Sequence, residues 1–386
     1  MSTIRRLSGL LLISVFAFSC GQKQHYDTII TNGVIYDGSG GEPVKADLGI
    51  INDTVAAIGD LSKADATERI DAHGKAVAPG FINMMGHSEE SLLIDGRGQS
   101  DVRQGVTTEI FCESSFAPLT DALAKQMEGS QGDFKYKVDW RTMGQYMNGI
   151  VKKGISPNIA SFVGAGTVRT YVLGEANKAP TPAQLDSMKA LVAQAMQDGA
   201  LGVTCALIYP PDNFASTEEL IELCKEASKY GGTYSSHMRS EGNKFTQAVS
   251  ELLRIAREAK IPAEIHHLKA GGKNNWNKMD SVIAMVEAAK KEGLEVDADM
   301  YTYVAGATGL TSAFPPTLQD GGFGKLRERL QDPKVRTEMK KAMNSDAQTW
   351  ENLYYGAGGA DHVLLLGFKQ DSLKKYIGKT VGEVAK

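Results

Sequence analysis

The sequence contains little cysteine, no excess of basic residues and only one long apolar run near its start. Four cysteines occur among 386 residues, and the formal net charge is -4. A chain without a basic surface cannot neutralise nucleic-acid phosphates, so we exclude nucleic acid as a partner. The apolar run, residues 10–18, is too short for a membrane-spanning helix, which needs about 20 apolar residues. The 42% of hydrophobic residues is ordinary for a globular protein.

Residues 1–20 are typical of an export signal. Arg5 and Arg6 precede the apolar run, which ends at Cys20. A cysteine at the end of such a run resembles the lipidation site of a bacterial lipoprotein. We therefore expect a lipid anchor at Cys20, with residues 21–25 as a tether to the membrane. Simple secretion with cleavage near Cys20 is the alternative, and both place the protein outside the cytoplasm, in the periplasm or on a membrane.

Three cysteines remain after the export signal, namely Cys112, Cys205 and Cys224. An odd count in an exported protein argues against a framework of disulfides. Cys224 falls within a helical pattern, where a cysteine usually serves as a small core residue.

Two regions of different pattern follow the tether. Residues 26–76 are short apolar stretches separated by Gly, Asn and Asp, which predicts a small β-domain. In residues 77–386, β-rich runs alternate with helical patterns, as in a parallel α/β barrel. The predicted barrel strands are residues 78–82, 106–111, 159–163, 201–206, 233–237, 263–267 and 294–300. The fold class is therefore α/β, with a TIM-like (β/α) barrel of about seven strands.

Two histidines stand where reactive groups of a parallel barrel are expected. His237 ends one predicted strand and His267 ends the next, so both should lie at the same rim. Two imidazoles at one rim are natural metal ligands, although each could be a structural histidine instead. Strand alternation points only one of His266 and His267 into the barrel, and we choose His267 because it directly precedes the loop.

Further candidate ligands follow the first two predicted strands. His87, with Glu89 and Glu90 close behind it, comes after the first strand. Cys112 and Glu113 come directly after the second. Glu113 could be a third metal ligand or a general base, and Cys112 could be a thiolate ligand. A solvated loop is the alternative for the acids.

Several motifs together resemble the amidohydrolase superfamily and, within it, the D-aminoacylase (N-acyl-D-amino-acid deacylase) branch. The resemblance extends over nearly all of residues 26–386. The motifs that carry it are residues 26–38, 70–82, 104–108, 200–202, 207–211, 236–242 and 298–301.

The resemblance implies a barrel with a small β-sandwich at residues 26–76 and hydrolysis of an N-acyl amide bond. The implied substrate is a small N-acyl-D-amino acid, and the implied metal is zinc. His237 and His267 match the zinc-binding histidines of the family, and Tyr301 matches a tyrosine of its substrate pocket.

The departures from the family pattern concern the remaining ligands. The usual His-x-His motif reads Met85-Gly86-His87, and Ser114 stands where a bridging cysteine is usual. We therefore expect one zinc ion rather than two, with Glu113 as the leading third ligand and His87 as a further one. Arg239 could bind a substrate carboxylate, or it could pair with Glu241 within its own loop.

The resemblance places the catalytic aspartate beyond Lys386, so we expect residues 77–386 to form a barrel without its last strand and C-terminal part. The alternative is that residues 362–367 supply an eighth strand. Two other functions remain open: hydrolysis of cyclic amides or another acyl substrate, and a non-catalytic surface lipoprotein or inactive remnant of the enzyme.

Overall fold

A computed structural model of the protein describes residues 24–346 and 349–386, so Cys20 lies outside the described residues. The chain divides into two compact units, the first ending at Gly80 and the second spanning Phe81–Lys386. The predicted boundary after residue 76 differs by a few residues because a short strand still belongs to the first unit. Within the described ranges, no helix is both long enough and apolar enough to span a membrane.

The first unit is a five-stranded mixed sheet. Its strands are β1 (His25–Ile35), β2 (Val44–Ile51), β3 (Thr54–Gly59), β4 (Asp65–Asp71) and β5 (Ala76–Val77). They run in the order β3-β2-β1-β4, and β5 also pairs with β1. β1 is continuous, with a β-bulge between Ile30 and Gly33. The β-rich N-terminal region is confirmed, and its described residues form a single sheet, so the β-sandwich stays a prediction.

The second unit contains the parallel strands of the barrel. They are β6 (Phe81–Gly86), β7 (Val106–Phe111), β8 (Asn158–Ser161), β9 (Val163–Gly164), β10 (Gly202–Ala206), β11 (Thr233–His237), β12 (Ala263–Ile265) and β13 (Val296–Ala298). Strands β6-β7-β8 form one sheet and β9-β10-β11-β12-β13 another. Because β8 and β9 are separated only by Phe162, they are two parts of one strand, which makes seven strand positions.

The helices connect the strands and cover the outside of the sheets. The α-helices are α1 (Glu89–Ile94), α2 (Gln99–Val102), α3 (Asp121–Ser130), α4 (Met143–Lys153), α5 (Ala165–Leu173), α6 (Pro182–Gln197), α7 (Thr217–Ser228), α8 (Phe245–Ala259), α9 (Met279–Lys291), α10 (Gly322–Arg329), α11 (Pro333–Met343), α12 (Leu353–Gly356) and α13 (Val381–Ala385). Short 3₁₀ helices occupy Asp212–Phe214, Lys273–Lys278, Leu310–Ala313, Pro316–Gln319, Ala360–His362 and Asp371–Tyr376.

Hydrophobic periodicity explains how these helices pack. Helix α8 buries one face that includes Phe245, Val249 and Leu252, as its spacing of apolar residues predicts. Helix α6 begins at a capping box in which Thr181 accepts a hydrogen bond from the backbone N–H of Gln184, which satisfies an otherwise free donor. The buried faces of α5 to α9 meet the outward residues of β9 to β13 in one large core.

The first predicted barrel strand is wrong in position, and the alternative eighth strand is not formed. The first barrel strand is Phe81–Gly86 rather than residues 78–82. Proline and glycine at 79 and 80 cannot extend a ladder efficiently, and pairing with β7 starts only at Phe81. Residues 362–367 do not form a barrel strand, because Leu364 makes an isolated antiparallel bridge with Thr380.

Candidate metal centre

Three predicted ligands meet at the carboxyl ends of the barrel strands. His237 is the last residue of β11, while Glu113 and His267 follow the ends of β7 and β12 by two residues each. Parallel strands present their carboxyl ends at one face of a barrel, which explains why residues so distant in sequence converge there.

The carboxylate of Glu113 lies between the two histidine rings. Its Oε1 is 3.1 Å from His237 Nδ1 and 3.2 Å from His267 Nε2. One potential ligand atom from each residue lies within 4.8 Å of those of the other two. His87 approaches the other side of the carboxylate, with Nε2 at 3.5 Å from Glu113 Oε2, but its side chain is 51% exposed. The structure thus brings all four predicted ligands together, with His87 at the open side.

The electrostatics of this group follow from burial and from pairing of opposite charges. Burial opposes ionisation of Glu113, but the hydrogen bonds from His237 and His267 outweigh it and hold the pKa of the carboxyl well below its usual range. Burial likewise opposes protonation of His267, yet the carboxylates of Glu113 and Glu241 raise its pKa to about 9. A positive charge is therefore stabilised at this position.

Two residues that the sequence did not single out as ligand partners surround His267. Glu241 Oε1 lies 2.7 Å from His267 Nδ1, and Lys269 Nζ lies 2.6 Å from the same oxygen. Lys269 Nζ is also 2.9 Å from His267 Nδ1. Their position on the loops that follow β11 and β12 was the available signal, because such loops carry the reactive groups of a parallel barrel.

The two substrate-binding candidates have different surroundings. The Tyr301 ring lies 6.1 Å from the His267 ring and within reach of Lys269, whose Nζ is 5.2 Å from its centroid. Arg239 instead makes a bidentate pair with Glu251 and donates to the carbonyls of Asn213 and Ala215. The expected pairing of Arg239 with Glu241 is therefore wrong, and its guanidinium is occupied by structural contacts.

Cys112 is buried away from the group of ligands. Its Sγ lies 3.6 Å from the carbonyl oxygen of Met84. Burial, together with the negative charge of Glu113, raises the pKa of the thiol far above its ordinary value. Glu113, whose carboxylate contacts both histidines, is therefore the residue after β7 that fits the centre, rather than Cys112.

A second group of ligand-type residues lies next to the first. Glu264, His266 and Asp299 each offer one atom within 4.8 Å of the others. His266 Nδ1 is 2.7 Å from Asp299 Oδ2, and the backbone N–H of His267 donates to Asp299 Oδ1 at 2.5 Å. Both His266 and His267 are buried, because the strand ends at Ile265 and His267 adopts a left-handed backbone with φ of 38°. Strict strand alternation therefore does not apply to this pair.

A cavity of about 420 Å³ adjoins Glu113. Its lining includes the apolar side chains of Leu119, Leu123 and Met127, together with Tyr209 and Asp212. The residues lining this described cavity include neither lysine nor arginine. It therefore offers no cationic partner to a negatively charged group.

The side chains of Glu113, His237 and His267 form a donor set that fits a zinc ion. Two imidazoles and a carboxylate are usual zinc ligands, and ligands on a tetrahedral zinc stand about 3.3 Å apart. The distances of 3.1 and 3.2 Å from Glu113 Oε1 to the two histidines are of that size.

Comparison with known proteins identifies relatives of similar sequence. No protein-family model matches the chain. It is 36% identical over 297 residues to a D-aminoacylase of Alcaligenes xylosoxydans xylosoxydans, an alignment that covers 75% of this chain and 60% of the relative. An N-acyl-D-glutamate deacylase of the same organism is 31% identical, with 74% of this chain and 59% of the relative covered. The chain thus spans about three fifths of the length of these curated relatives.

Solved structures give the same relationship. A D-aminoacylase crystal structure superposes with a TM-score of 0.66 at 36% identity, covering 73% of this chain and 59% of the other. The N-acyl-D-glutamate deacylase of Bordetella bronchiseptica, solved with zinc and a phosphonate inhibitor, gives a TM-score of 0.67 at 30% identity, covering 72% and 59%. The chain is therefore a homologue of D-aminoacylase and N-acyl-D-glutamate deacylase over about three quarters of its own length.

Proposed function

We propose that the protein is a zinc-dependent hydrolase that cleaves the N-acyl amide bond of an N-acyl-D-amino acid. The observation that carries this proposal is the convergence of Glu113, His237 and His267, whose ligand atoms lie within 4.8 Å of one another. The homology to deacylases supports the substrate class, and the relative solved with zinc supports the metal.

The roles of the residues follow from their positions. Glu113, His237 and His267 hold one zinc ion, with His87 at the exposed side of Glu113. The chemistry that zinc supplies when bound is polarisation of the scissile carbonyl and activation of water. Glu241 contacts the other ring nitrogen of His267, Nδ1, and Lys269 pairs with the carboxylate of Glu241.

Lys269 is the residue that fits the carboxylate of the substrate. The α-carboxylate of an N-acyl amino acid carries one negative charge. Arg239 and Lys269 each have a carboxylate partner, Glu251 and Glu241 respectively, but of the two only Lys269 contacts a residue of the candidate metal centre. The ammonium of Lys269 lies beside His267 and above the Tyr301 ring, and its side chain is 24% exposed. Ionic attraction to Lys269 and a hydrogen bond from Tyr301 would orient the substrate with its amide bond toward the histidines.

The cavity beside Glu113 favours a neutral substrate side chain. Its lining includes Leu119, Leu123 and Met127, and it offers neither lysine nor arginine to pair with a second carboxylate. We therefore expect N-acyl derivatives of apolar D-amino acids to react faster than those of D-glutamate or D-aspartate.

The experiment is to measure zinc content and hydrolysis on the purified protein. We expect release of D-leucine from N-acetyl-D-leucine, with little reaction of N-acetyl-L-leucine or N-acetyl-D-glutamate. His237→Ala should abolish zinc retention and turnover, whereas His73→Ala, which changes an exposed histidine of the first unit, should leave both unchanged. Hydrolysis of a hydantoin without deacylation would instead favour the cyclic-amide alternative, and zinc content that is negligible and insensitive to His237→Ala would contradict the enzyme.

We also propose that the protein is exported and anchored to a membrane through a lipid on Cys20. The support is the sequence pattern alone, with Arg5 and Arg6 before an apolar run that ends at the cysteine. Labelled palmitate should be incorporated into the wild-type protein and should be absent from Cys20→Ser. Equal labelling of the two would contradict a lipid anchor at this position.

A further inference from the structure

The carboxylate of Asp299 contacts two consecutive histidines at the end of β12. Oδ1 accepts the backbone N–H of His267 at 2.5 Å, and Oδ2 lies 2.7 Å from His266 Nδ1. Asp299 itself is tied to the same segment by its backbone, since its N–H donates to the carbonyl of Ile265 and its carbonyl accepts from Leu268 N–H. Asp299, which directly follows β13, thus holds the turn that follows β12.

This turn has an unusual backbone conformation at the metal ligand. His267 has φ of 38°, a left-handed conformation that costs a residue with a side chain of order 1 kcal/mol or more. In a regular strand, His266 and His267 would point to opposite faces of the sheet. The left-handed turn lets both rings face the barrel interior, where His266 meets Asp299 and His267 meets Glu113.

We propose that Asp299 is a positioning residue of the metal centre, which holds His267 in the left-handed conformation that directs its Nε2 toward Glu113. The carboxylate contacts two residues of the turn. Its Oδ1 accepts the backbone N–H of His267, and its Oδ2 contacts Nδ1 of the His266 ring. This inference rests on the proposed zinc site, for which His267 is a ligand.

A competing explanation is that Asp299 only joins β12 to β13 and stabilises the fold. The chain offers a matched control for this possibility. Asp198 directly follows α6, and its Oδ2 accepts the backbone N–H of Gly144 in α4 at 2.8 Å. It makes the same kind of carboxylate-to-backbone contact between two elements, and it belongs neither to the candidate metal centre nor to the lining of the cavity beside Glu113.

The experiment compares zinc affinity in wild type, Asp299→Asn, Asp299→Ala and Asp198→Asn, by competition with a chromophoric chelator. Loss of an outer partner of a metal ligand typically weakens metal binding by about 10–100-fold. We expect a loss of that size for Asp299→Ala and a smaller loss for Asp299→Asn, because the amide oxygen can still accept the His267 N–H. Asp198→Asn should bind zinc like wild type even if its melting temperature falls.

A spectroscopic measurement separates positioning from stability. With cobalt(II) in place of zinc, the visible absorption bands report the ligand geometry, and we expect them to shift in folded Asp299→Asn but not in Asp198→Asn. If Asp299→Ala does not fold, the comparison rests on the two Asn variants. Unchanged affinity and unchanged bands in the folded Asp299 variants would overturn the positioning role while leaving the zinc enzyme intact. Failure of wild type to bind zinc would overturn both.

Discussion

Glu113 and His237 stand 124 residues apart in the sequence, yet Glu113 Oε1 and His237 Nδ1 lie 3.1 Å apart. The contact joins the loop after β7 to the last residue of β11, and it sets one edge of the candidate metal centre. Glu113 has a left-handed backbone with φ of 63°, and its N–H is held by Thr204 Oγ1 at 2.8 Å. A side chain of β10 thus holds the backbone of Glu113, while His237 at the end of β11 contacts its carboxylate.

Replacing Glu113 by glutamine should weaken both zinc binding and the metal-free fold. The substitution removes the negative charge that two buried imidazoles share, so a hydrogen-bonded charge is lost from a site with little water. We expect the free energy of unfolding of the metal-free protein to fall by ~1–3 kcal/mol and zinc affinity to fall as well. Denaturant unfolding and a zinc titration measure the two effects. Glu90→Gln, a change in the first turn of α1, serves as the control and should alter neither.

Loss of one member of the buried Arg169–Glu219 pair should destabilise the folded protein strongly. Arg169 Nη1 lies 2.6 Å from Glu219 Oε2, and the two side chains are 0% and 4% exposed. Removing the cation alone in Arg169→Met leaves a buried carboxylate without its partner, at a cost of ~3–5 kcal/mol. Urea unfolding measures the loss.

The control for that pair is an exposed arginine. Arg254 pairs with Glu218 and Glu258, and its side chain is 46% exposed, so Arg254→Met should cost at most ~1 kcal/mol. Replacing both members of the buried pair, as in Arg169→Met with Glu219→Leu, should recover part of the loss, because no unpaired charge remains. Equal effects of Arg169→Met and Arg254→Met would contradict the importance of burial.

Stability should depend on pH through Asp212. Burial raises the pKa of its carboxyl to about 7, whereas the ordinary value is 3.8. The folded protein therefore holds this proton more tightly than the unfolded chain, so stability from this group is greatest at low pH and is lost as pH rises from about 4 to 7.

Asp212→Asn tests this dependence, because asparagine resembles the neutral carboxyl in shape and cannot ionise. We expect the variant to lose less stability than wild type between pH 5 and pH 8, at ~1.4 kcal/mol per unit of pKa difference. Melting temperatures measured across that range report the difference. The same slope in both proteins would show that Asp212 ionises freely in the folded state.

Core packing of α8 should respond to truncation at Leu252. This side chain is 2% exposed and lies on the buried face of the helix, so Leu252→Ala should cost ~2–5 kcal/mol of unfolding free energy. Gln247→Ala on the exposed face of the same helix should change it by less than ~0.5 kcal/mol. Similar losses for both variants, measured by urea unfolding, would be inconsistent with the packing of α8.

Local patterns in the sequence determined the fold class, the alternation of strands and helices, and the placement of His237 and His267 after strands. These features depend on the period of apolar residues and on chain order, which are written along the sequence. The alternation confirmed as α/β in the structure needed no knowledge of distant contacts. The position of the first barrel strand was less predictable, because pairing with β7 rather than local composition decides where it begins.

Only the tertiary structure decided which polar groups meet around those histidines. Arg239 pairs with Glu251 on α8 rather than with Glu241 in its own loop. The pair forms because the folded chain places α8 beside the loop that follows β11. Glu241 is free to contact His267 for the same reason. The left-handed turn that brings both His266 and His267 inside is held by Asp299 from the neighbouring strand. Such partners depend on packing in three dimensions, and no periodicity of the sequence encodes them.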